Sequence, residues 1–207
     1  MKLKTKVFAS LALALATFFT CADAKWTGFQ LVKAIAAASE GARSVEIPAI
    51  GTVEVAFSPS EGAEELVLKV INSAHHNIRM MAYSLTNPRV TKALIKAKGN
   101  GVEVVVVADE KANTIEDRSG KSRAALSAMQ LAGIDARLIS AYAISHDKVL
   151  LVDDSTVQTG SFNYTDAAAK RNSENVVVHW NNPALFKVYL QHFERNLRQS
   201  RPFQTRY

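Results

Sequence analysis

The stretch that decides the fold is His146-Asp-Lys-Val-Leu-Leu-Val-Asp153, and Gly160-Ser-Phe-Asn163 begins seven residues after its last aspartate. The apolar and β-branched residues from 146 to 152 predict a strand. Because side chains alternate between the two faces of a strand, we expect His146 and Lys148 on the same face, roughly 7 Å apart along the backbone. An imidazole and an ammonium on one face predict a site for a phosphate group.

The residue types in this pattern suit phosphoryl chemistry. Histidine acts as a nucleophile or proton carrier, while Lys148, Ser161 and Asn163 can neutralise and hydrogen-bond phosphoryl oxygens. Gly160 is expected to permit a close backbone approach or a tight strand exit. Asp153 lies five residues after Lys148, an odd spacing that places it on the other face of a regular strand. We therefore predict a structural role for Asp153, pairing with a turn or a basic group outside the site.

The segment Ser145–Thr165 resembles the HKD signature of the phospholipase D superfamily, which combines H-x-K-x4-D with G-S-x-N. The continuation 170–178 is similar as well, since it places the acidic residue Glu174 at a matching distance. Stretches 55–59, 78–84 and 102–111 resemble the small bacterial endonuclease branch, and the resemblance runs from about Thr52 to about Arg198. Asp154 departs from the pattern, because many members carry glycine in this turn.

The resemblance implies a phospholipase D-like α/β fold, with a mixed sheet flanked by helices and one HKD motif per chain. It also implies hydrolysis through a covalent phosphohistidine at His146, with no metal and no cofactor. Lys148 and Asn163 match the phosphate-binding positions, and Ser161 is an auxiliary. Glu174 matches the acidic partner of the histidine ring. Two-motif relatives use a second histidine, so a single motif implies a homodimer with a composite active site.

Alternation of strands and helices along the chain independently favours an α/β layered fold with a mixed sheet. We predict four helices. They run from a Ser60 cap to about 73, from Pro88 to about 98, from the end of the polar stretch 110–123 to about 132, and from Pro183 to about 199. Strands are predicted at 52–57, 78–83, 102–108, 135–139, 146–152, 156–159 and 175–179.

The polar stretch 110–123 is predicted as a loop and supplies the best candidates for contact with a nucleic-acid backbone. These candidates are the four cations Lys111, Arg118, Lys121 and Arg123. Two alternatives involve a metal. Asp109-Glu110 resembles a carboxylate pair of metal-dependent nucleases, and His75-His76 resembles a ligand pair, but neither has further ligands at suitable spacing.

The first 24 residues have the features of a secretory signal peptide: a basic start, an apolar run from Val7 to Phe19, and Ala22-Asp-Ala24 as cleavage site. We expect an extension at 25–51, a nuclease domain at 52–207, and a periplasmic or secreted protein without stable membrane association. A lipoprotein signal at Cys21 is the alternative. Cleavage after Ala24 removes this only cysteine and lowers the net charge from +6 to +4, which suits a polyanionic partner.

Three functions compete on these observations. The first is a metal-independent endonuclease that hydrolyses DNA, with RNA as a further substrate. The second is a lipid phosphodiesterase or phosphatidyl transferase of the same superfamily, although those enzymes usually carry two motifs in a longer chain. The third is a non-enzymatic nucleic-acid-binding module, which has no need for His146, Lys148, Asn163 and Glu174 together. The sequence favours the endonuclease.

Overall fold

The computed structural model describes residues 44–205, in which eight strands form one sheet. The expectations for the signal peptide and for most of the extension lie outside the described residues. The strands are β1 (Thr52–Ser58), β2 (Asn77–Ala82), β3 (Glu103–Asp109), β4 (Asp135–Ile139), β5 (Lys148–Val152), β6 (Thr156–Gly160), β7 (Glu174–Trp180) and β8 (Arg201–Pro202). The α-helices are α1 (Ala63–Asn72), α2 (Pro88–Gly99), α3 (Lys121–Leu131), α4 (Asp166–Lys170) and α5 (Pro183–Gln199), with a π-helical turn at Ala112–Glu116.

The sheet is mixed, which confirms the predicted fold class. Its strand order is β1-β7-β6-β5-β2-β3-β4-β8. Strands β2, β3 and β4 are parallel neighbours, whereas every other neighbouring pair is antiparallel. Although β5 follows β4 in the chain, β2 and β3 lie between them in the sheet. The antiparallel β2–β5 pair joins the parallel half of the sheet to the antiparallel half.

Two apolar clusters cover the two faces of the sheet. On one face, helices α1, α2 and α3 pack through buried side chains such as Val67, Leu94 and Leu126. On the other face, Phe186 and Phe193 of α5 pack against strand residues that include Val107 and Leu151. Because the central strands are buried on both faces, their continuous apolar runs are the sequence signal that predicted them.

Several predicted boundaries need correction. Strand β5 begins at Lys148 rather than at His146. Ser60 does not cap α1, because it lies in a turn with a φ of 65° and the helix begins after Gly62. The polar stretch 110–123 is not a loop, since it contains the π-helical turn and the start of α3. Within residues 44–205, no helix combines the length and apolarity needed to cross a membrane.

Candidate active site

The motif residues meet at one end of the sheet because of the strand pairing. Lys148 opens β5 and lies opposite Ala82, the last residue of the antiparallel strand β2. Strand β6 runs back along β5, so its last residue Gly160 reaches the same end, and Glu174 opens the next antiparallel strand there. The sheet therefore gathers the H-x-K segment, the G-S-x-N segment and Glu174 at one edge.

His146 lies just before β5 and is exposed to solvent. Its ring packs against the ring of Tyr83, with the two centroids 4.6 Å apart and the planes inclined by 59°. Tyr83 follows directly after β2, so the β2–β5 pairing places it beside the motif. An exposed imidazole supported on one side by an aromatic ring can reach an electrophile from the solvent side.

Lys148 differs from His146 in being buried, with 5% of its surface exposed. Its Nζ donates a hydrogen bond to the backbone oxygen of His146 at 2.8 Å and lies 5.1 Å from the centroid of the Tyr83 ring. Burial lowers the pKa of the Lys148 ammonium below its usual range, while the charges of Asp147 and Glu174 act in the opposite direction. The structure thus brings His146 and Lys148 together around Tyr83.

Ser161 and Glu174 form a second group at the same end of the sheet. Ser161 Oγ donates to Glu174 Oε2 at 2.6 Å and accepts from the backbone N–H of Asn175 at 3.0 Å. Glu174 Oε1 accepts from Asn172 Nδ2 at 3.0 Å. Among the described residues, the hydrogen bonds of the Glu174 carboxylate go to these two side chains and not to His146.

Asn163 lies between the buried side chains of Phe162 and Tyr164. Its backbone oxygen accepts from the N–H of Thr165 at 2.7 Å. Its side-chain Oδ1 is buried and has no hydrogen-bond partner within residues 44–205. A buried amide oxygen usually has a hydrogen-bond donor. The Nδ2 group of this half-buried side chain is the part that could donate to a phosphoryl oxygen.

Asp153 lies away from these groups, at the opposite end of β5. Its two carboxylate oxygens accept backbone N–H groups from His75, His76 and Asn77 at 2.7, 2.9 and 2.9 Å. Burial would raise the pKa of Asp153, but these three donors outweigh it and hold the pKa below its usual range. The motif aspartate therefore anchors the segment between α1 and β2.

Gly160 lies where two backbones approach closely. Its φ is 147°, and a Cβ at this position would lie 2.2 Å from the backbone oxygen of Asn175. Any side chain would collide with β7 and displace either Ser161 or Asn175. Only glycine lets the chain leave β6 at this angle.

The four predicted phosphate-contact cations have different environments. Lys111 pairs with Glu116 at 3.0 Å, and Arg123 donates to the backbone oxygen of Thr114. Arg118 and Lys121 are exposed, and the described part of the chain shows no ion pair for either. Arg118 and Lys121 are therefore the better placed of the four to meet an anionic polymer.

Tyr83 and Asp109 also belong to the surroundings of the site, and the sequence did not assign them there. Asp109 was considered as a metal ligand, but its Oδ1 and Oδ2 accept the backbone N–H groups of Ala112 and Ser145, each at 2.8 Å. It holds the residue that precedes His146. Tyr83 directly follows β2 and Asp109 is the last residue of β3, so both lie at the carboxyl ends of parallel strands. Ligand sites of α/β sheets lie at these ends, and that signal could have identified both residues.

Comparisons with known proteins agree with this geometry. The family model described as "Cardiolipin synthase, PLD-like domain" matches residues 67–197. A Rickettsia conorii protein named phospholipase D is 35% identical over 141 residues, which cover 68% of this chain and 67% of that protein. A mitochondrial cardiolipin hydrolase from Xenopus tropicalis is 26% identical, and the match covers 66% of this chain and 61% of the relative.

Two solved structures are also similar to this chain. Nuc from Salmonella typhimurium, described as a phospholipase D family member, is 47% identical with a TM-score of 0.71, over 74% of this chain and 99% of Nuc. NucT from Helicobacter pylori is 19% identical with a TM-score of 0.66, over 73% of this chain and 99% of NucT, and shows the fold alone. Since the family model spans more than half of the chain, the protein belongs to the phospholipase D superfamily, whose members are phosphodiesterases.

Proposed function

We propose that this protein is a metal-independent endonuclease that hydrolyses DNA, with RNA as a further substrate, through a covalent intermediate on His146. The observation that carries the proposal is the pairing of an exposed imidazole with a buried ammonium at one sheet end. The imidazole supplies a nucleophile, and the ammonium supplies the positive charge that a metal ion provides in other nucleases.

The proposed reaction has two displacements at phosphorus. In the first, a ring nitrogen of His146 bonds to phosphorus while the bond to the leaving sugar oxygen breaks, and a general acid protonates that oxygen. In the second, water attacks phosphorus, gives its proton to the same group, and the nitrogen–phosphorus bond breaks. Lys148 Nζ and Asn163 Nδ2 are assigned as donors to the phosphoryl oxygens, where they stabilise the developing charge.

Three observations support nucleic acid as the substrate. The formal net charge is +6 for the full chain and +4 after cleavage following Ala24, and either value favours a polyanion. Arg118 and Lys121 are exposed cations, and they can contact phosphates beyond the scissile one. The relative with 47% identity is named Nuc, and the stretches at 55–59, 78–84 and 102–111 resemble the small bacterial endonuclease branch.

The general acid in this scheme is assigned to His146 of a second copy. The described chain has one H-x-K-x4-D segment, and a two-fold axis through the site would bring two such segments face to face. Within one protomer Glu174 is bonded to Ser161 and Asn172. The resemblance assigns the Glu174 carboxylate to the orientation of the His146 ring, and within residues 44–205 of one protomer no hydrogen bond joins the two.

A lipid phosphodiesterase is the second candidate, because relatives carry lipid names. The Rickettsia conorii phospholipase D matches over 141 residues that are 67% of its length, which makes it a protein of about 210 residues. A chain of this size therefore does not argue against a lipid substrate. This differs from the expectation that lipid enzymes carry two motifs in a longer chain. The same His146 chemistry would serve either phosphodiester.

One experiment separates the candidates. The protein and its His146→Ala variant are incubated with supercoiled plasmid and, separately, with phosphatidylglycerol or cardiolipin vesicles, all in millimolar EDTA. We expect the plasmid to be nicked and linearised by the wild type alone, with the lipid unchanged. Lipid hydrolysis without DNA cleavage would transfer the proposal to the lipid enzyme, and loss of DNA cleavage in EDTA with rescue by magnesium would overturn metal independence.

We also propose that the protein is exported and cleaved after Ala24. The support is the order of a basic start, an apolar run and Ala22-Asp-Ala24. The mass and N-terminal residue of the protein recovered from a periplasmic extract test this: Lys25 is expected first. A lipid-modified Cys21 at the N-terminus would instead identify a lipoprotein.

A further inference from the structure

Tyr83 has contacts with both reactive side chains of the motif. One region of its ring packs against His146 at 4.6 Å between centroids, and the Lys148 ammonium lies 5.1 Å from the same centroid. The phenol is only partly exposed, so its ring fills the space between the two side chains and the end of β2. Tyr83 is thus in a position to fix the distance between nucleophile and cation.

The position of Tyr83 is itself held from several sides. The backbone N–H of Tyr83 donates to the backbone oxygen of Asp147 at 2.9 Å. The backbone oxygen of Tyr83 accepts a hydrogen bond from Asn113 Nδ2 at 2.7 Å. Asn113 is fully buried, which makes this contact rigid. The Tyr83 hydroxyl lies 3.4 Å from Glu116 Oε2, and Glu116 pairs in turn with Lys111. The ring therefore cannot move independently of the motif backbone.

The Tyr83 ring is one of the groups that stabilise the charged form of Lys148. An ammonium has three donors, and in residues 44–205 the hydrogen bond shown for Nζ is the one to the His146 oxygen. Burial disfavours its charged form. The groups that favour the charge are the carboxylates of Asp147 and Glu174 and the face of the Tyr83 ring, whose quadrupole attracts a cation. His146 also packs against this ring, and Glu116, Asp109 and Lys111 are further charged groups near Tyr83.

We propose that Tyr83 is a positioning residue that keeps the Lys148 ammonium charged and holds it, together with the His146 ring, in the arrangement required for attack on phosphorus. The aromatic face carries this role, and the hydroxyl does not. The catalytic part of the proposal rests on the proposed function, whereas the effect on Lys148 holds for any substrate of this site.

The test compares three substitutions. Tyr83→Phe keeps the ring and removes the hydroxyl, Tyr83→Leu removes the ring, and Tyr83→Met provides a second non-aromatic side chain of greater length in case the leucine variant fails to fold. Trp180→Leu is the matched control, because the Trp180 ring also lies near a lysine, 5.5 Å from Lys69 Nζ, but it ends β7, whereas Glu174 of the site begins that strand. Lysine-labelled protein gives the pKa of Lys148 by NMR, with the signal assigned through Lys148→Arg.

Removal of the ring destabilises the charged form, so the pKa of Lys148 should fall by roughly 0.5 to 1 unit in Tyr83→Leu and Tyr83→Met. Because the charged lysine is the active form, the alkaline limb of the kcat profile should move to lower pH by the same amount. We also expect kcat to fall about 3- to 30-fold with little change in KM. Tyr83→Phe and Trp180→Leu should resemble the wild type in the pKa of Lys148.

An unchanged pKa of Lys148 in folded Tyr83→Leu or Tyr83→Met would overturn the proposal, as would an equal shift in Tyr83→Phe. An unchanged kcat in these non-aromatic variants would remove the catalytic part. If the wild type cleaves no phosphodiester, the proposed function fails, yet the NMR titration still decides whether Tyr83 controls the charge of Lys148.

Discussion

The aspartate of the H-x-K-x4-D segment shows how a motif residue can serve the fold instead of the chemistry. Asp153 accepts three backbone N–H groups from the chain between α1 and β2. These donors would otherwise have no partner in the strand ladder, and an ionised acceptor binds them more strongly than a neutral one. The residue fixes the start of β2, and β2 carries Tyr83 at its other end.

Replacing Asp153 by asparagine should therefore destabilise the protein with little direct effect on catalysis. Asparagine has one oxygen in place of two and turns an NH2 group towards backbone donors, so we expect a loss of about 2 to 3 kcal/mol in the free energy of unfolding. Urea unfolding measures this loss. The neighbouring Asp154→Asn is the control: Asp154 is exposed with a φ of 59°, which asparagine tolerates, and its effect should stay within about 0.5 kcal/mol.

The same pair of variants predicts a pH dependence. Because the folded protein holds the pKa of Asp153 below its usual range, the carboxylate stabilises the fold above the pKa of the unfolded chain, about 3.9. That contribution is lost as the pH falls through the lower folded pKa. The difference in stability between wild type and Asp153→Asn should be full near neutral pH and shrink below about pH 4. A constant difference down to acid pH would contradict this account.

At the residue level, the sequence predicted roles that depend on spacing and missed contacts that depend on the fold. The odd spacing from Lys148 predicted that Asp153 lies on the other face of a regular strand. The structure instead places Asp153 just beyond the end of β5, with a φ of 47°, so its separation from Lys148 comes from the length of the strand. The packing of Tyr83 against His146 could not be predicted in this way. It depends on the antiparallel pairing of β2 with β5, in which Ala82 lies opposite Lys148, 66 residues later in the chain.

Among the elements, helix α2 links the active-site segment to the helical layer. Asn87 caps this helix, because its Oδ1 accepts the N–H groups of Arg89 and Val90 at 2.8 and 3.2 Å. Its Nδ2 donates to Glu64 of α1 at 2.5 Å, and its backbone N–H donates to the oxygen of Tyr164, the neighbour of Asn163. The fully buried side chain of Asn87 thus connects two helices, and its backbone connects them to the G-S-x-N segment.

Truncation of this cap in Asn87→Ala should lower the free energy of unfolding by about 2 kcal/mol, because two helix donors and one carboxylate oxygen lose their partner. Asn100→Ala, an exposed substitution at the other end of the same helix, should change it by less than about 0.5 kcal/mol. Thermal and urea unfolding of the two variants measure the contrast. Equal losses in the free energy of unfolding would mean that the buried contacts of Asn87 stabilise the fold no more than the exposed side chain of Asn100 does.

Elements with strong local signals were predicted well, and those created by tertiary contacts were not. Asp135–Ile139 and the start of α5 at Pro183 match the prediction, since an apolar strand run and an Asn-Pro cap are local signals. The short helix α4 was missed because five residues give no helical period. The two-residue strand β8 exists only through its pairing with β4.

For the whole molecule, one question is how a chain with a single motif completes a two-step reaction. The proposed answer is a homodimer in which two His146 side chains share one site. Equal amounts of wild-type and His146→Ala chains, unfolded together and refolded, test it. If both histidines are needed, only dimers of two wild-type chains are active. Activity should then fall to about a quarter of the value for wild type alone at the same total protein concentration.

The control mixes wild type with His75→Ala, since the His75 side chain is exposed and its backbone N–H, not its ring, bonds Asp153. That mixture should retain nearly full activity. Mass in solution must show a dimer in both mixtures. A fully active monomer, or activity of about one half in proportion to wild-type chains, would show that each protomer works alone.

The central claim is that His146 becomes covalently bonded to the scissile phosphate. The direct measurement is a single-turnover reaction with an oligonucleotide that carries a radioactive phosphate at the cleaved position, quenched in alkaline denaturant to preserve phosphohistidine. Peptide mapping should locate the label on His146 in the wild type and in His75→Ala, and no label should appear in His146→Ala. Cleavage of the oligonucleotide at the normal rate with no label on His146 at any time, or by a folded His146→Ala protein, would contradict the account.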